Sequence, residues 1–259
     1  MISLSIANNV AEVVLDAPHK LNSLDEQALA DLTQAYDDAA AAASRGEVRA
    51  LLLRGEGRAF CAGRDISAVT PETDDAEAYL GGLVQPLLKK MSAFPAPTFA
   101  AAHGACLGVG LGLLLATDVV YVAENAKFGS PFAKLGATLD SGGHWYFTER
   151  LGMHRTLDLI YTAELMSGTE AVAQGMFSRA MPANELLANA REIVTKVATG
   201  ATGAFTASKE LVAHIRDQRL GLWDAMAEEN AAQARLCKSA DYAEGFRAFQ
   251  EKREPKFVG

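Results

Sequence analysis

The sequence predicts an α/β fold: a mainly parallel sheet built by alternating strands and helices, followed by an all-helical tail. Three observations carry this expectation. Short aliphatic runs alternate with helical stripes through the first part of the chain, the order that builds parallel sheets. From Ala183 onward only helical patterning remains. Between them, His103 to Gly143 sets glycines at 104, 108, 110 and 112 inside a continuous apolar run. Bare backbone held close to something buried is the simplest reason for that combination.

Ile2, Leu4 and Ile6 alternate with polar neighbours, Asn8-Asn9 favours positive φ, and Val10 to Leu15 resumes an extended run. This is a hairpin signal. A helix follows: Ser23 and Glu26 have capping-box spacing, and Leu24, Ala28, Leu29, Leu32 and Tyr36 form its apolar stripe. Arg49 to Leu53 reads as a short strand, and GEGRAFCAGRDI after it as a loop. Residues 69–78, VTPETDDAEA, read as an acidic, mobile surface loop. A helix from about Ala78 to Met91 ends before Pro95 and Pro97. Thr98–Ala102, Val119–Val122 and Lys127–Gly129 are expected strands, with a buried helix near Val109 to Thr117. Trp145–Leu151, Arg155–Thr162 and Thr169–Gln174 read as helices parted by Gly152 and Gly168. Phe177–Met181 is a last strand, and helices follow over roughly 183–199, 203–217, 221–237 and 240–252. The alternation stops near residue 200, so residues 1–200 are expected to form the core and residues 201–259 a helical appendage.

A chain of 259 residues, 49% apolar and 22% charged, suits a soluble globular protein with a substantial core. The net charge of −8 excludes a broad basic face for a polyanion, so no nucleic-acid partner is expected. The longest apolar runs contain glycine or meet charge within a few residues, so no membrane span is expected. MISLSIANNVAEVV lacks the basic start of a secretory leader. Cys61, Cys106 and Cys237 have neither paired nor metal-like spacing, which suits a reducing cytoplasm and no metal.

Two motifs could carry chemistry. Phe60-Cys61-Ala62-Gly63-Arg64-Asp65-Ile66 reads either as an ordinary turn or as backbone N–H groups facing a ligand oxygen. Gly108-Val109-Gly110 either lets a helix pack tightly or opens a helix start whose free N–H groups favour negative charge. Neither is specific alone. Asp140, before Ser-Gly-Gly, reads by spacing as a helix cap. His103, His144, an adjacent Glu149–Arg150 ion pair and Asp118 read as structural.

Together the motifs are specific. LNSL at 21–24, RALLLRGEGRAFCAGRDI at 49–66, PAPTFAAAHGACLGVGLGLLLATDVVYVAENAKFG at 95–129, LG at 135–136 and GFRAFQEKREPKF at 245–257 resemble the enoyl-CoA hydratase/isomerase (crotonase) superfamily. The resemblance covers nearly the whole chain. It implies a crotonase-like spiral of β-β-α turns with a C-terminal α-helical trimerisation region, assembled as a homotrimer or dimer of trimers. It implies an acyl-CoA substrate, with coenzyme A arriving as part of the thioester and no permanently bound cofactor. By the same resemblance, the N–H groups of Arg64 and Val109 would form the oxyanion hole, flanked by Gly108 and Gly110. Coenzyme A contacts would fall on Lys20, Leu21, Ala62, Asp65 and Ile66, and on Lys252 and Lys256 from a neighbouring subunit.

The departures narrow the reaction. Hydratases of the superfamily use two glutamates, one to activate water and one to deliver a proton; Gly112 and Phe132 stand at those places. Asp140, in LDSGG, matches the segment where ring-epoxide isomerases, dienoyl-CoA isomerases and benzoyl-CoA dehalogenases carry an aspartate. The dienoyl isomerases need further acids at 112 and 132. The dehalogenases need a histidine and a tryptophan where this chain has Lys89 and Phe132. The resemblance in motif is therefore greatest to 1,2-epoxyphenylacetyl-CoA isomerase-like members. It implies a proton-shuttling isomerase, with a weakly active hydratase-like protein, a dehalogenase-like enzyme and a non-catalytic acyl-CoA binder as alternatives.

Overall fold

The computed structural model describes residues 1–67 and 69–259. The chain opens with the expected hairpin. Strands β1 (Ile2–Ala7) and β2 (Val10–Leu15) pair antiparallel, with Ala7 opposite Val10. Asn8 and Asn9 turn the chain at φ 51° and 60°, the left-handed pair whose twist matches that of the flanking strands. β3 (Ala50–Gly55) and β4 (Thr98–Ala102) continue the sheet in parallel. β6 (Val119–Ala123) and β9 (Arg179–Met181) complete the order β1-β2-β3-β4-β6-β9. Leu51, Leu52 and Leu53 are all fully buried. A parallel strand covered on both faces reads as an unbroken apolar run, which is why RALLL does not alternate.

A smaller sheet joins β5 (Ala105–Leu107), β7 (Lys127–Gly129) and β8 (Met166–Ser167). β5 and β8 span three and two residues, too few to display a period, and the sequence pattern does not reveal them. Among the helices, α1 (Glu26–Ser44) packs on β1. A π-helical segment, Ala78–Val84, runs into α2 (Gln85–Ser92). Next come α3 (Val109–Leu115), α4 (Gly143–Thr162) and α5 (Gly168–Ala173). The helices expected either side of Gly152 are parted there as the pattern predicts: α4 breaks at that glycine, φ 76° and ψ 166°. α6 (Leu186–Ala198) lies across β2, β3, β4 and β6. α7 (Thr202–Gln218), α8 (Leu222–Leu236) and α9 (Ala240–Glu251) close the chain. No helix among the described residues is long and apolar enough to cross a membrane.

Two local expectations change. Asp25, not Ser23, caps α1: its carboxylate accepts the Ala28 N–H at 2.8 Å. Leu24 is held extended in a bridge with Arg64, its N–H on Gly63 O at 2.8 Å, so the helix cannot start until the following residue. Glu149 does not pair with Arg150. It takes Arg219 at 2.9 Å, while Arg150 donates to Met176 O, because neighbours on a helix point away from one another.

Arg49 is a structural cation the pattern does not flag. Its guanidinium donates to Thr202 Oγ1 at 3.0 Å, to Phe257 O at 3.3 Å and to Gly200 O. The chain end is also tied to α9, with the Val258 and Gly259 N–H groups on the Asp241 carboxylate at 2.8 and 3.0 Å. Trp223, Phe249 and Val258 stay 76%, 86% and 76% exposed, so the helical tail presents large apolar side chains outward.

Candidate active site

Two loops cross where β5 meets residues 60–64. Cys61 and Cys106 form a parallel bridge, with Cys61 N on Ala105 O and Leu107 N on Cys61 O, both at 3.0 Å. One residue further the backbones nearly touch. A Cβ on Gly63 would lie 2.9 Å from Leu107 O and 3.8 Å from Gly108 Cα. Gly63 has φ 101° and Gly108 φ 52°, so both turns need glycine for conformation as well as space. Gly110 serves packing: a Cβ there would lie 2.5 Å from Cys61 O.

Arg64 and Val109 each follow one of these turns. The bridge to Leu24 uses Gly63 O and the Asp65 N–H, leaving the Arg64 N–H aside. Val109 opens α3, where the first N–H groups have no helical acceptor. Among the described residues neither N–H makes a hydrogen bond. Two unspent donors on adjoining loops can hold a carbonyl oxygen that gains negative charge.

Asp140 lies ahead of α4, whose cap position is Gly142; the Asp140 carboxylate caps nothing, and its carbonyl takes the Gly143 N–H at 2.8 Å. Its Oδ1 is buried without a hydrogen bond of ordinary geometry. Burial pushes the carboxyl above its usual range, with the Ser141 hydroxyl and the Arg64 guanidinium acting the other way. Asp140 lines a cavity of about 960 Å³ with Gly112 on one side and Leu80, Val84, Leu139 and Tyr146 around it. The α7 side chains of Lys209 and Arg216 form the far wall.

The two departures from the hydratase pattern sit against this site. A Cβ on Gly112 would lie 2.4 Å from Ser141 Cβ, so the Asp140–Ser141 segment occupies the space a longer side chain would need. The Phe132 ring comes within 3.0 Å of a Cβ built on Gly108. It therefore covers the turn just before Val109.

Among the expected coenzyme A residues, Lys20 and Leu21 meet the 62–66 loop. Lys20 bridges Asp25 at 2.8 Å and Asp65 at 3.0 Å. Asp65 is held down to about 2 by the Ser67 hydroxyl and the Lys20 ammonium. The Ala62 N–H is spent on Leu21 O at 2.9 Å, leaving its carbonyl without a donor among the described residues. Ile66 is exposed. Lys252, at the end of α9, and Lys256, whose backbone N–H reaches Glu244 at 2.8 Å, are both exposed, and their ammonium groups meet no carboxylate among the described residues.

The structural readings also find their partners. His144 meets Thr138 Oγ1 at 3.1 Å, His103 meets Gly57 O at 2.8 Å, and Asp118 accepts the Thr98 N–H at 2.8 Å. The acidic loop is partly tied down: the Arg64 guanidinium grips Asp74 at 2.6 and 2.9 Å and sits 4.2 Å over the Tyr79 ring. Three contributors went unflagged by the sequence. Ser141 and the α7 wall give no local signal. Asn22, inside the matched LNSL, is 1% exposed and links three backbone groups, Ala17 N, Glu56 O and Ala59 O, at 2.8–2.9 Å.

Known proteins share this arrangement of chain. The enoyl-CoA hydratase/isomerase family profile matches residues 5–259. A probable enoyl-CoA hydratase of Rhodobacter capsulatus is 35% identical over 100% of this chain and 98% of its own. The 1,2-epoxyphenylacetyl-CoA isomerase of Escherichia coli is 30% identical over 98% of this chain and 97% of its own. The crystal structure of an enoyl-CoA hydratase from Bacillus anthracis superposes with a TM-score of 0.90 at 28% identity, covering 100% of this chain and 99% of that one. Profile, relatives and backbone agree from end to end: this chain belongs to the enoyl-CoA hydratase/isomerase family of the crotonase superfamily and is an acyl-CoA-processing enzyme.

Proposed function

We propose that the enzyme is an acyl-CoA isomerase that moves a proton through an enolate, with Asp140 as its acid/base. The thioester oxygen sits between the Arg64 and Val109 N–H groups. The Asp140 carboxylate takes a proton from carbon 2 of a 3-enoyl-CoA, and the electron pair delocalises onto the held oxygen. As the double bond forms between carbons 2 and 3, the same carboxyl returns the proton to carbon 4. One carboxyl suffices because nothing is added or lost. Prearranged donors of this kind contribute about 3–4 kcal/mol each to lowering the barrier.

The observation that carries this reading is the Asp140 carboxyl, desolvated and raised in a cavity that Gly112 also lines, with Phe132 at the second hydratase position. A buried carboxyl with a raised pKa is suited to proton transfer. Unsaturated or ring-epoxide aromatic acyl-CoA thioesters, from fatty-acid or phenylacetate breakdown, are the substrate class, and the E. coli relative's name supports the second. Lys20, Leu21, Ala62, Asp65 and Ile66 would hold coenzyme A in a cytoplasmic homotrimer or dimer of trimers. Lys252 and Lys256 would reach in from a neighbour. The exposed apolar side chains of α8 and α9 support that assembly.

Hydration is the second reading, favoured by the name of the R. capsulatus relative. One experiment separates them: Asp140→Asn is assayed with 3-enoyl-CoA for isomerisation, and the wild type with 2-enoyl-CoA for 3-hydroxyacyl-CoA. Isomerisation should fall by roughly 10²–10⁴ in the variant. Unchanged turnover removes Asp140 from the mechanism, and hydration faster than isomerisation replaces the reading.

A further inference from the structure

The cavity that Asp140 lines is larger than a proton shift near the thioester requires. None of its described lining residues belongs to the 60–66 loop or to the Gly108–Val109 turn. Its volume of about 960 Å³ therefore lies on the acyl side of the site, away from the two oxyanion donors. Pockets of about 300–1,000 Å³ bury most of a drug-sized ligand, and this one stands at the upper end of that range.

The walls turn small or aliphatic residues inward. Gly112 and Ala116, one turn apart on α3 and its cap, both line the space. Leu80, Val84 and Leu88 repeat at four-residue spacing through the π-helical segment and α2. On the far side α7 presents Ala213, with Lys209 and Asp217 four residues to either side. No residue of α7 is fully buried. A helix whose inner face meets no core leaves surface there for an occupant to cover.

The charges on the walls do not ask for an anionic acyl end. Lys209 meets Asp118 at 2.9 Å and Arg216 meets Asp217 at 2.6 Å. Lys89 also lines the cavity but is exposed, so water solvates its ammonium already. The aliphatic walls favour hydrocarbon.

Resting on the acyl-CoA reading above, we propose that the acyl group extends past Asp140 and lies between α3 and α7, so that the enzyme selects long apolar acyl groups over short ones. Ala116 and Ala213 are then specificity-determining residues, and the helical tail is a wall of the substrate site.

Equilibrium binding of two stable thioesters, butyryl-CoA and decanoyl-CoA, tests this. Each methylene fully buried strengthens binding about fourfold. Wild type should therefore bind decanoyl-CoA at least tenfold more tightly than butyryl-CoA. Ala213→Phe and Ala116→Leu, which fill the space from opposite walls, should each weaken decanoyl-CoA about tenfold or more and leave butyryl-CoA within about twofold. Retained butyryl-CoA binding shows that a variant is folded, and the pair guards against a misfolded Ala116→Leu. A wild-type gap below tenfold, or a gap that survives in both variants, overturns the assignment while bound butyryl-CoA leaves the acyl-CoA reading standing. Failure of both thioesters to bind wild type removes both.

Discussion

Gly112 and Ser141 are in contact: a Cβ on the glycine would lie 2.4 Å from the serine Cβ. The pair fixes which acid enters the cavity. With nothing beyond Cα on α3, the 139–142 segment moves in against the helix and brings Asp140 with it. Gly112→Ala should destabilise the fold by about 1–3 kcal/mol through overpacking and lower isomerisation by displacing Asp140. Urea unfolding and turnover measured on the same variant check both effects. A stable, fully active Gly112→Ala enzyme would show that the contact has no role.

The Asp140 carboxyl is raised by burial, which links activity and stability to pH in opposite senses. As the base, it must be ionised, so activity should fall on the acid side at a higher pH than an ordinary carboxylate would dictate. For stability the folded pKa exceeds the unfolded one. The contribution is therefore fully present below the unfolded value of about 3.8 and is lost as pH rises through the folded value. Asp140→Asn removes that loss. Its melting temperature should exceed that of wild type at neutral pH, and the advantage should vanish near pH 3.

Gly108 combines φ 52° with a Phe132 ring 3.0 Å from any added Cβ. Gly108→Ala should re-aim the Val109 N–H and reduce kcat by roughly 10²-fold or more, the cost of losing one oxyanion donor. Steady-state kinetics should show the loss in kcat rather than in coenzyme A affinity measured alone.

At Arg64 the proposed donor is the backbone, so the side chain should be dispensable to first order. Arg64→Ala removes the Asp74 pair and the stacking on Tyr79 but keeps the N–H. An exchange of this partly exposed pair should change kcat by no more than about fivefold. A larger loss would transfer the role to the guanidinium.

Asn22 is buried with three hydrogen bonds to backbone groups of two loops. Asn22→Ala orphans those groups and should cost about 2–4 kcal/mol, read as a lower denaturant midpoint. It should also loosen the 17–22 turn that positions Lys20 and Leu21.

Much of the fold is legible in local pattern. Asn8-Asn9 marks the hairpin, the RALLL run marks a strand buried on both faces, and Gly152 marks the break in α4. Short-range signals fail where a partner distant in sequence decides. Leu24 is captured by Gly63 and Asp65, so the cap of α1 moves to Asp25. Glu149 finds Arg219, seventy positions away. β5 and β8 exist because β7 lies between them, and neither is long enough to announce itself. Within the site, Gly63, Gly108 and Asp140 are visible as residue types, whereas Ser141 becomes notable only once Gly112 is seen beneath it.

The sequence by itself determined the superfamily, the order of the helices and of the longer strands, and the residues available for chemistry. It determined equally what is missing, since no glutamate stands at 112 or 132. The tertiary structure decided that the Gly63 and Gly108 turns meet, so that the Arg64 and Val109 N–H groups are left unspent on adjoining loops. It also decided that Asp140 is a largely desolvated carboxyl lining the cavity rather than a helix cap. The physical reason is the same in both cases. Whether a donor is free or a carboxyl is desolvated depends on what packs against it, and those neighbours come from parts of the chain that local pattern cannot bring together.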